Sequence, residues 1–327
     1  MRVLITGAAG QDGTILASHL AGNGAEIYGL IKPGTDYERL ERYVPSATVL
    51  HTDLADSAGL RGAVTDIQPT HIWNLGGFTA PAESWDREAE VQAINVDAVA
   101  VMLEAAHHQP NPARFFQASS SHIFEGTDRS PQTEDFELSP TSPYARSKAD
   151  ALDLVRKYRD QEGLFAVSGI MYNHESPLRG ENFVTRKVSR AVARISRGLQ
   201  DVLELGDTEV ARDWGWAPDY VRATLLMLQA DKPKDYVLAT GISHRLSFFV
   251  QKAFAAAGVD NWQDFVISRE SDRPVDTNKM VGDSRAAYLE LGWRHTVDFD
   301  SIAHRMVQHD LELLDDPTIL WRDPWMK

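Results

Sequence analysis

A tyrosine and a lysine stand four residues apart in the middle of this chain, at Tyr144 and Lys148. The spacing places both side chains on one face of a helix that we predict from Tyr144 to Glu162. A lysine ammonium lowers the pKa of a neighbouring phenol from its usual value of about 10, so the phenolate can take a hydroxyl proton while hydride leaves the same carbon. The pair therefore indicates hydride chemistry at a carbon that carries a hydroxyl group.

A glycine-rich loop is the second pattern with a chemical meaning. Gly7, Gly10 and Gly13 follow a predicted strand, Val3 to Thr6, and open a predicted helix. Glycines let the chain turn tightly and bring backbone N–H groups close to a pyrophosphate, whose charge a helix N-terminus favours. Strand, loop and helix in this order predict a dinucleotide site.

The end of the second predicted strand bears on the choice of dinucleotide. Lys32 stands where NAD-binding chains carry an acidic residue that takes the ribose hydroxyls. A cation at this point suits a 2′-phosphate, so the sequence favours NADP over NAD. Two alternatives stay open: Lys32 as a solvated loop charge, and Asp36 as a ribose ligand for NAD.

The elements that must position these residues read as a doubly wound parallel sheet of the Rossmann type. Apolar runs predict six strands separated by helices, over Val3 to Thr6, Glu26 to Ile31, Thr48 to Leu50, His71 to Leu75, Arg114 to Ala118 and Phe165 to Met171. A long helix is predicted over Glu88 to His107. We expect an NADP-binding domain over 1–172 and, over 173–327, a smaller α/β lobe that covers the carboxyl ends of the strands. The return of some elements of this lobe to the sheet is left open. Short runs near 201–205 and 236–239 are assigned to that lobe.

The composition of the chain limits the classes of partner that it can bind. The chain has 327 residues, 43% of them apolar, and 33 Lys and Arg against 47 Asp and Glu leave a net charge of −14. This charge argues against nucleic acid and anionic membranes as partners, and no apolar run approaches the ~20 residues that cross a bilayer. With no cysteine there are no thiolate ligands, and the 11 histidines lack metal-ligand spacing, so we predict no metal. We expect a cytoplasmic protein.

These motifs together carry a resemblance to a known family. With Ser120 in the serine run after the fifth strand, Tyr144 and Lys148 match the catalytic triad of extended short-chain dehydrogenase/reductases, the nucleotide-sugar epimerases and dehydratases. Longer segments resemble the GDP-mannose 4,6-dehydratases: Asn173 to Pro177, Arg179 to Lys187, Arg212 to Gly215 and Asp219 to Val221, with shorter matches as far as Asp283.

The resemblance implies a nucleotide-diphosphate-sugar substrate and assigns binding roles residue by residue. The pyrophosphate would be held by Gly7, Gly10, Gln11, Asp12 and Gly13, the adenine bordered by Asp53 and Leu54, and the nicotinamide half contacted by Leu75, Tyr144, Lys148, His174 and Arg179. The sugar nucleotide would contact Asn173, Val184, Lys187, Arg212, Arg273 and Asp276. An alternative is that Arg186, Lys187 and Arg190 form a solvated helix face and bind no ligand. This alternative is least favoured for Lys187.

The family reaction oxidises the sugar at C4, eliminates water across C5 and C6, and returns hydride to C6. In the family a glutamate removes the C5 proton, whereas this chain has His122 at the matching position. A neutral imidazole can serve as a base at pH 7. The alternatives are that elimination is lost, that His122 only packs, or that Glu125 or Glu134 substitutes for it.

Three readings of function follow. The first is an NADP-dependent dehydratase for GDP-mannose or a related sugar nucleotide, with Ser120, His122, Tyr144 and Lys148 as catalytic residues. A second is a 4-keto-sugar reductase or epimerase without elimination, and a remote third is a non-catalytic NADP-binding sensor. The segment from Lys32 to Asp36 is shorter and poorer in cations than the family's tetramer-forming loop, so we expect a homodimer through the two long helices, with a tetramer left possible.

Overall fold

The computed structural model describes residues 1–268 and 280–326. Its strands are β1 (Arg2–Thr6), β2 (Glu26–Ile31), β3 (Thr48–His51), β4 (His71–Asn74), β5 (Arg114–Ala118), β6 (Ala166–Met171), β7 (Asn173–Glu175), β8 (Leu203–Leu205), β9 (Ala211–Trp216), β10 (Tyr236–Leu238), β11 (Ser243–Arg245) and β12 (Val266–Ser268). Seven of them form one parallel sheet in the order β10-β6-β5-β4-β1-β2-β3. The doubly wound Rossmann fold is confirmed, with the six predicted strands in their predicted places.

The seventh strand comes from the second half of the chain. The sequence predicts the apolar run near 236–239 in the smaller lobe and leaves open the return of elements to the sheet; in the structure β10 pairs in parallel with β6, with Val237 opposite Ile170. A three-residue apolar run carries no information about which sheet receives it, because the partner strand lies far away in sequence. The later half of the chain therefore completes the sheet of the first half.

Eleven α-helices connect the strands in the described residues. They are α1 (Gln11–Gly22), α2 (Glu38–Tyr43), α3 (Ser57–Ile67), α4 (Glu88–Gln92), α5 (Ala98–His107), α6 (Pro143–Glu162), α7 (Val184–Ser196), α8 (Ala217–Gln229), α9 (Leu246–Ala256), α10 (Arg285–Leu291) and α11 (Phe299–Asp315). Helix α6 begins where the Ser142 hydroxyl accepts the N–H of Ala145 and ends at Gly163, whose φ is 69°. None of these helices is long and apolar enough to cross a membrane.

Both faces of the sheet are buried because alternate strand residues point to opposite sides. Val3 and Ile5 of β1 belong to the apolar cluster that includes α1 and α8. Leu4 between them belongs to the cluster on the other face, with α3, α5 and α6. The site must therefore lie at the edge of the sheet, where the strands end.

The second part of the chain adds two small sheets and three helices beyond the carboxyl edge. Strands β11, β9 and β7 form one sheet, β12 and β8 form the other, and α7, α9 and α11 pack against one another. Arg186 of α7 is 5% exposed and pairs with Asp310 of α11, which is 4% exposed. Arg186 is thus a buried anchor, which corrects the solvated-face alternative for this residue.

Candidate active site

The glycine loop is tight enough that only glycine fits at two of its positions. Gly7 has a φ of +66°, and a Cβ there would lie 2.8 Å from the backbone nitrogen of Gly76. A Cβ on Gly13 would lie 2.3 Å from the carbonyl oxygen of Gly7. The Gly10 N–H donates to the same carbonyl at 2.9 Å. The closed turn lies directly before α1, which begins at Gln11, and this glycine cradle at a helix N-terminus fits a pyrophosphate.

Polar residues of the loop hold the strand that begins the second lobe. Gln11 donates to the carbonyl of His174 at 3.1 Å and accepts from the Ser176 hydroxyl at 2.7 Å. Asp12 lies 2.8 Å from His174 Nε2. Burial opposes both charges of this pair, but the ion pair outweighs it, so the pKa of Asp12 is lowered and that of His174 is raised. Two residues predicted to contact the coenzyme therefore also contact each other.

The adenosine end of the predicted coenzyme site is bordered by an ion pair. Lys32 Nζ lies 3.5 Å from Asp53 Oδ2, and the Lys32 side chain is 57% exposed. The Leu54 side chain lies beside Gly76. The backbone of Leu75, the residue before Gly76, lies beside Gly7. The structure thus brings together the residues predicted for this half of the site, with one cation and one carboxylate at its outer end.

Two elements bring the catalytic candidates together. Ser120 follows β5 and caps a 3₁₀ turn from Ser121 to Phe124, while Tyr144 and Lys148 lie on the first turns of α6. Burial raises the pKa of Tyr144, and a hydrogen bond with Ser120 acts in the opposite direction. Lys148 Nζ donates to the carbonyl of Ala118 at 3.0 Å and lies 5.8 Å from the Tyr144 ring centroid.

The electrostatics of this cluster correct one prediction. The tyrosine–lysine spacing predicted a lowered phenol pKa, whereas the pKa of Tyr144 is raised because the ring is buried. Burial also lowers the pKa of Lys148 to about 8. At its distance from the phenol ring, the Lys148 ammonium does not offset the loss of solvent around Tyr144.

His122 lies against the same tyrosine. Its ring meets that of Tyr144 edge-on, with centroids 5.5 Å apart, and its Nδ1 lies 2.8 Å from Glu125 Oε2. Glu134, the other carboxylate considered in the sequence analysis, instead accepts the N–H of Val237 in β10 at 2.8 Å. Of the two carboxylates, the structure therefore places Glu125 beside His122.

Asn95, which no sequence pattern singles out, supports the wall behind Lys148. The single helix predicted over Glu88 to His107 is interrupted by a π-helical turn, Ala93–Asp97, between α4 and α5. Within that turn Asn95 accepts the N–H of Phe78 at 2.8 Å and donates to Ser147 Oγ at 3.0 Å. No apolar periodicity marks a π turn, so this position had no signal in the sequence.

The predicted substrate residues lie on elements of the second lobe. Asn173 of β7 is paired with Trp214 of β9, and Val184 is the first residue of α7. Lys187 donates to the carbonyl of Glu204 at 2.6 Å, and Arg212 donates to the carbonyl of Ala211 at 2.8 Å. Arg273 and Asp276 lie outside the described residues.

Arg179, predicted to contact the nicotinamide half, lies in the segment after β7. Its Nε is 3.3 Å from Glu175 Oε2, and its guanidinium lies over the Phe183 ring at 3.6 Å from the centroid. Stacking and the ion pair hold this cation between β7 and α7. No group of three or more His, Asp or Glu side chains with metal-binding geometry occurs in residues 1–268 and 280–326.

Comparison of the fold with solved structures shows its architecture. UDP-glucose 4-epimerase from Thermotoga maritima matches with a TM-score of 0.84 at 21% identity, covering 96% of this chain and all of that one (100%). DesIV, a dTDP-glucose 4,6-dehydratase from Streptomyces venezuelae solved with NAD, matches with a TM-score of 0.83 at 21% identity, over 97% and 98% of the chains. RMD from Pseudomonas aeruginosa, solved with NADPH, matches with a TM-score of 0.78 at 22% identity, over 95% and 99%.

Comparison of the sequence is more specific. GDP-mannose 4,6 dehydratase 2 of Arabidopsis thaliana is 40% identical over 97% of this chain and 88% of its own length. The human GDP-mannose 4,6 dehydratase is 36% identical over 95% and 91%. A family model described as GDP-mannose 4,6 dehydratase matches residues 4–306. The chain therefore belongs to the GDP-mannose 4,6 dehydratase family of nucleotide-sugar dehydratases.

Proposed function

We propose that this protein is an NADP-dependent 4,6-dehydratase that acts on GDP-mannose. The observation that carries the proposal is the cluster of Ser120, Tyr144, Lys148 and His122 at the carboxyl edge of the sheet, beside the glycine cradle. A cluster with a hydroxyl donor, a phenol, an ammonium and a second base suits oxidation followed by elimination. The likeness to the dehydratases of Arabidopsis and human supports guanine and mannose as the parts of the substrate.

The residues present fit a nicotinamide dinucleotide. The glycine cradle, where a Cβ on Gly7 or Gly13 would meet backbone atoms, suits the pyrophosphate, and Leu54 and Leu75 lie beside it. Lys32 is the cation for a 2′-phosphate, although Asp53 beside it keeps NAD as the alternative. Bound there, a nicotinamide would supply the hydride acceptor for C4 of the sugar and the hydride donor for C6.

The side chains perform the proton steps. Ser120 donates a hydrogen bond to the sugar O4, and Tyr144 takes the proton from that oxygen as the phenolate while C4 becomes a ketone. The loaded site must therefore offset the burial that raises the pKa of Tyr144. Lys148 is fixed by its bond to the Ala118 carbonyl and supplies positive charge behind the phenol. The new ketone acidifies C5–H, and His122 removes this proton so that the C6 hydroxyl can leave as water.

The second lobe would hold the nucleotide. Lys187 and Arg212 bring positive charge to the start of α7 and to β9, in a chain whose net charge is −14. A nucleoside diphosphate needs such cations, as point charges or as bidentate guanidinium contacts. We assign Asn173, Val184, Arg273 and Asp276 to the same ligand.

The test is incubation of the purified protein with NADP and GDP-mannose in deuterated water, followed by mass spectrometry of the sugar nucleotide. The proposal expects a product that has lost one water and carries deuterium at C5. A product that is oxidised at C4 but carries no deuterium and has lost no water would instead favour the 4-keto-sugar reductase or epimerase. The histidine in place of the family's glutamate supports that alternative. Unchanged sugar nucleotide, with a Tyr144→Phe variant that behaves like the wild type in cells, would favour a sensor.

We further infer a homodimer through α5 and α6. These helices share the cluster on one face of the sheet, and the half-buried Val101, Leu154 and Tyr158 lie at its margin. Pairing of two copies across this surface would cover these side chains. Light scattering of the purified protein is expected to give twice the mass of 36.4 kDa, and a monomer or a tetramer would contradict the inference.

A further inference from the structure

His122, which stands where the family has a glutamate, forms a short and well-supported contact with Glu125. Glu125 Oε2 lies 2.8 Å from His122 Nδ1. Its other oxygen, Oε1, accepts the N–H of Thr141 at 3.1 Å, the hydroxyl of Thr141 at 2.7 Å and the N–H of Ser142 at 2.7 Å. The carboxylate is thus held from two sides, with the imidazole on one and the entry to α6 on the other.

The hydrogen-bond donors around Glu125 determine which of the two side chains carries the shared hydrogen. Burial disfavours the charged form of Glu125, but the hydrogen bonds from His122, Thr141 and Ser142 outweigh it and lower its pKa to about 2. An ionised carboxylate only accepts hydrogen bonds, so Nδ1 of His122 must carry the hydrogen. A neutral imidazole protonated on Nδ1 has its lone pair on Nε2.

Nε2 is the atom of His122 that is left for chemistry. Among residues 1–268 and 280–326, no hydrogen bond is formed to it, and the side chain is 27% exposed. The ring lies edge-on to Tyr144, and the backbone N–H of His122 donates to the Ser120 hydroxyl at 3.3 Å. The imidazole is therefore fixed beside the two groups that would contact O4 of a sugar.

We propose that Glu125 is a positioning residue that locks His122 in the Nδ1–H tautomer, so that His122 Nε2 is the base that removes the C5 proton. This inference rests on the proposed dehydratase function. In the step, Nε2 takes the C5 proton, the C5–H electrons form the C5–C6 double bond, and the C6–O bond breaks. The imidazolium gives its proton to the departing oxygen, so water leaves and His122 returns to its neutral form.

The first test reads the tautomer without catalysis. Protein with ¹⁵N-labelled imidazoles is compared by NMR with a His122→Gln variant, which identifies the His122 signals. In the wild type we expect the hydrogen on Nδ1. In Glu125→Gln, the amide oxygen must face the N–H groups of Thr141 and Ser142, so the amide NH₂ faces His122 and the hydrogen is expected to move to Nε2.

The second test distinguishes loss of the C5 base from a general loss of enzyme activity. With NADP and GDP-mannose in deuterated water, His122→Gln and Glu125→Gln are expected to reduce the coenzyme still but to lose C5 deuteration and water loss by about 10²-fold or more. A His122→Glu, Glu125→Gln double variant, which restores one carboxylate at the base position, is expected to recover elimination. Glu134→Gln is the matched control, because its carboxyl contacts Val237 and not His122.

The outcomes separate the two proposals. Equal losses of coenzyme reduction and C5 exchange in Glu125→Gln would show a structural role and overturn the inference. A wild-type His122 with its hydrogen on Nε2 would overturn it as well, whatever the substrate is. A wild-type protein inert toward GDP-mannose would instead refute the proposed function, and the NMR result would still decide whether Glu125 sets the tautomer.

Discussion

Replacement of Arg186 by methionine is expected to destabilise the protein through the buried charge that it leaves behind. Arg186 and Asp310 join α7 to α11, and their side chains are only 7% and 4% exposed. Removing one partner of such a pair costs about 3–5 kcal/mol, whereas replacing both by apolar side chains of similar size is close to neutral. The single variant Arg186→Met should therefore be much less stable than the double variant with Asp310→Leu.

The size of the effect follows from the length of the chain. Unfolding entropy near 60 °C is about 2.1 cal/mol/K per residue, so 327 residues give roughly 0.7 kcal/mol/K. The single variant should lower Tm by about 4–7 °C, and the double variant by about 1–2 °C or less. Differential scanning calorimetry of wild type, both single variants and the double variant measures this. Additive losses, with the double variant the least stable, would refute the reasoning.

Three further predictions concern the coenzyme and the catalytic lysine. Gly13→Ala should abolish NADPH binding in a fluorescence titration, because its Cβ would meet a backbone carbonyl at 2.3 Å, whereas Gly62→Ala, with open space around its Cβ, should bind normally. Lys32→Ala should reduce the preference for NADP over NAD in kcat/KM by roughly tenfold, and Asp53→Asn should increase it; equal losses for both coenzymes would contradict this. Burial lowers the Lys148 pKa from 10.5 to about 8, so the native state bears the cost of a buried charge below about pH 8 and loses that cost as the pH rises toward 10.5. Lys148→Met should therefore abolish turnover yet add about 3 kcal/mol of stability at pH 7, a gain that calorimetry should see vanish toward pH 10.5.

The parts of the molecule that depend on local pattern could be predicted from the sequence. The strands β2 and β5 begin and end where their apolar runs do, and the glycine loop between β1 and α1 lies where its spacing required. The same holds for α6, because Ser142 and Pro143 are good helix-start residues and Gly163 ends the helix.

The parts that depend on distant contacts could not. Tyr236–Leu238 is a short apolar run that many sheets could accept, and its place beside β6 depends on the folded core. The raised pKa of Tyr144 reflects burial by the surrounding elements, which the spacing to Lys148 does not encode. Asn95 depends on a π turn, and the choice of Glu125 over Glu134 as the partner of His122 depends on where the chain goes after the 3₁₀ turn.

The position of β10 has a consequence for how the protein is made. On the ribosome, β6 emerges early, and its outer edge has no partner until β7, α7, β8, β9 and α8 have been synthesised. All six residues of β6 are buried in the finished fold, so the waiting edge is apolar and open to pairing with another chain. Nascent chains that stall before Tyr236 should therefore depend on chaperones more than full-length chains do.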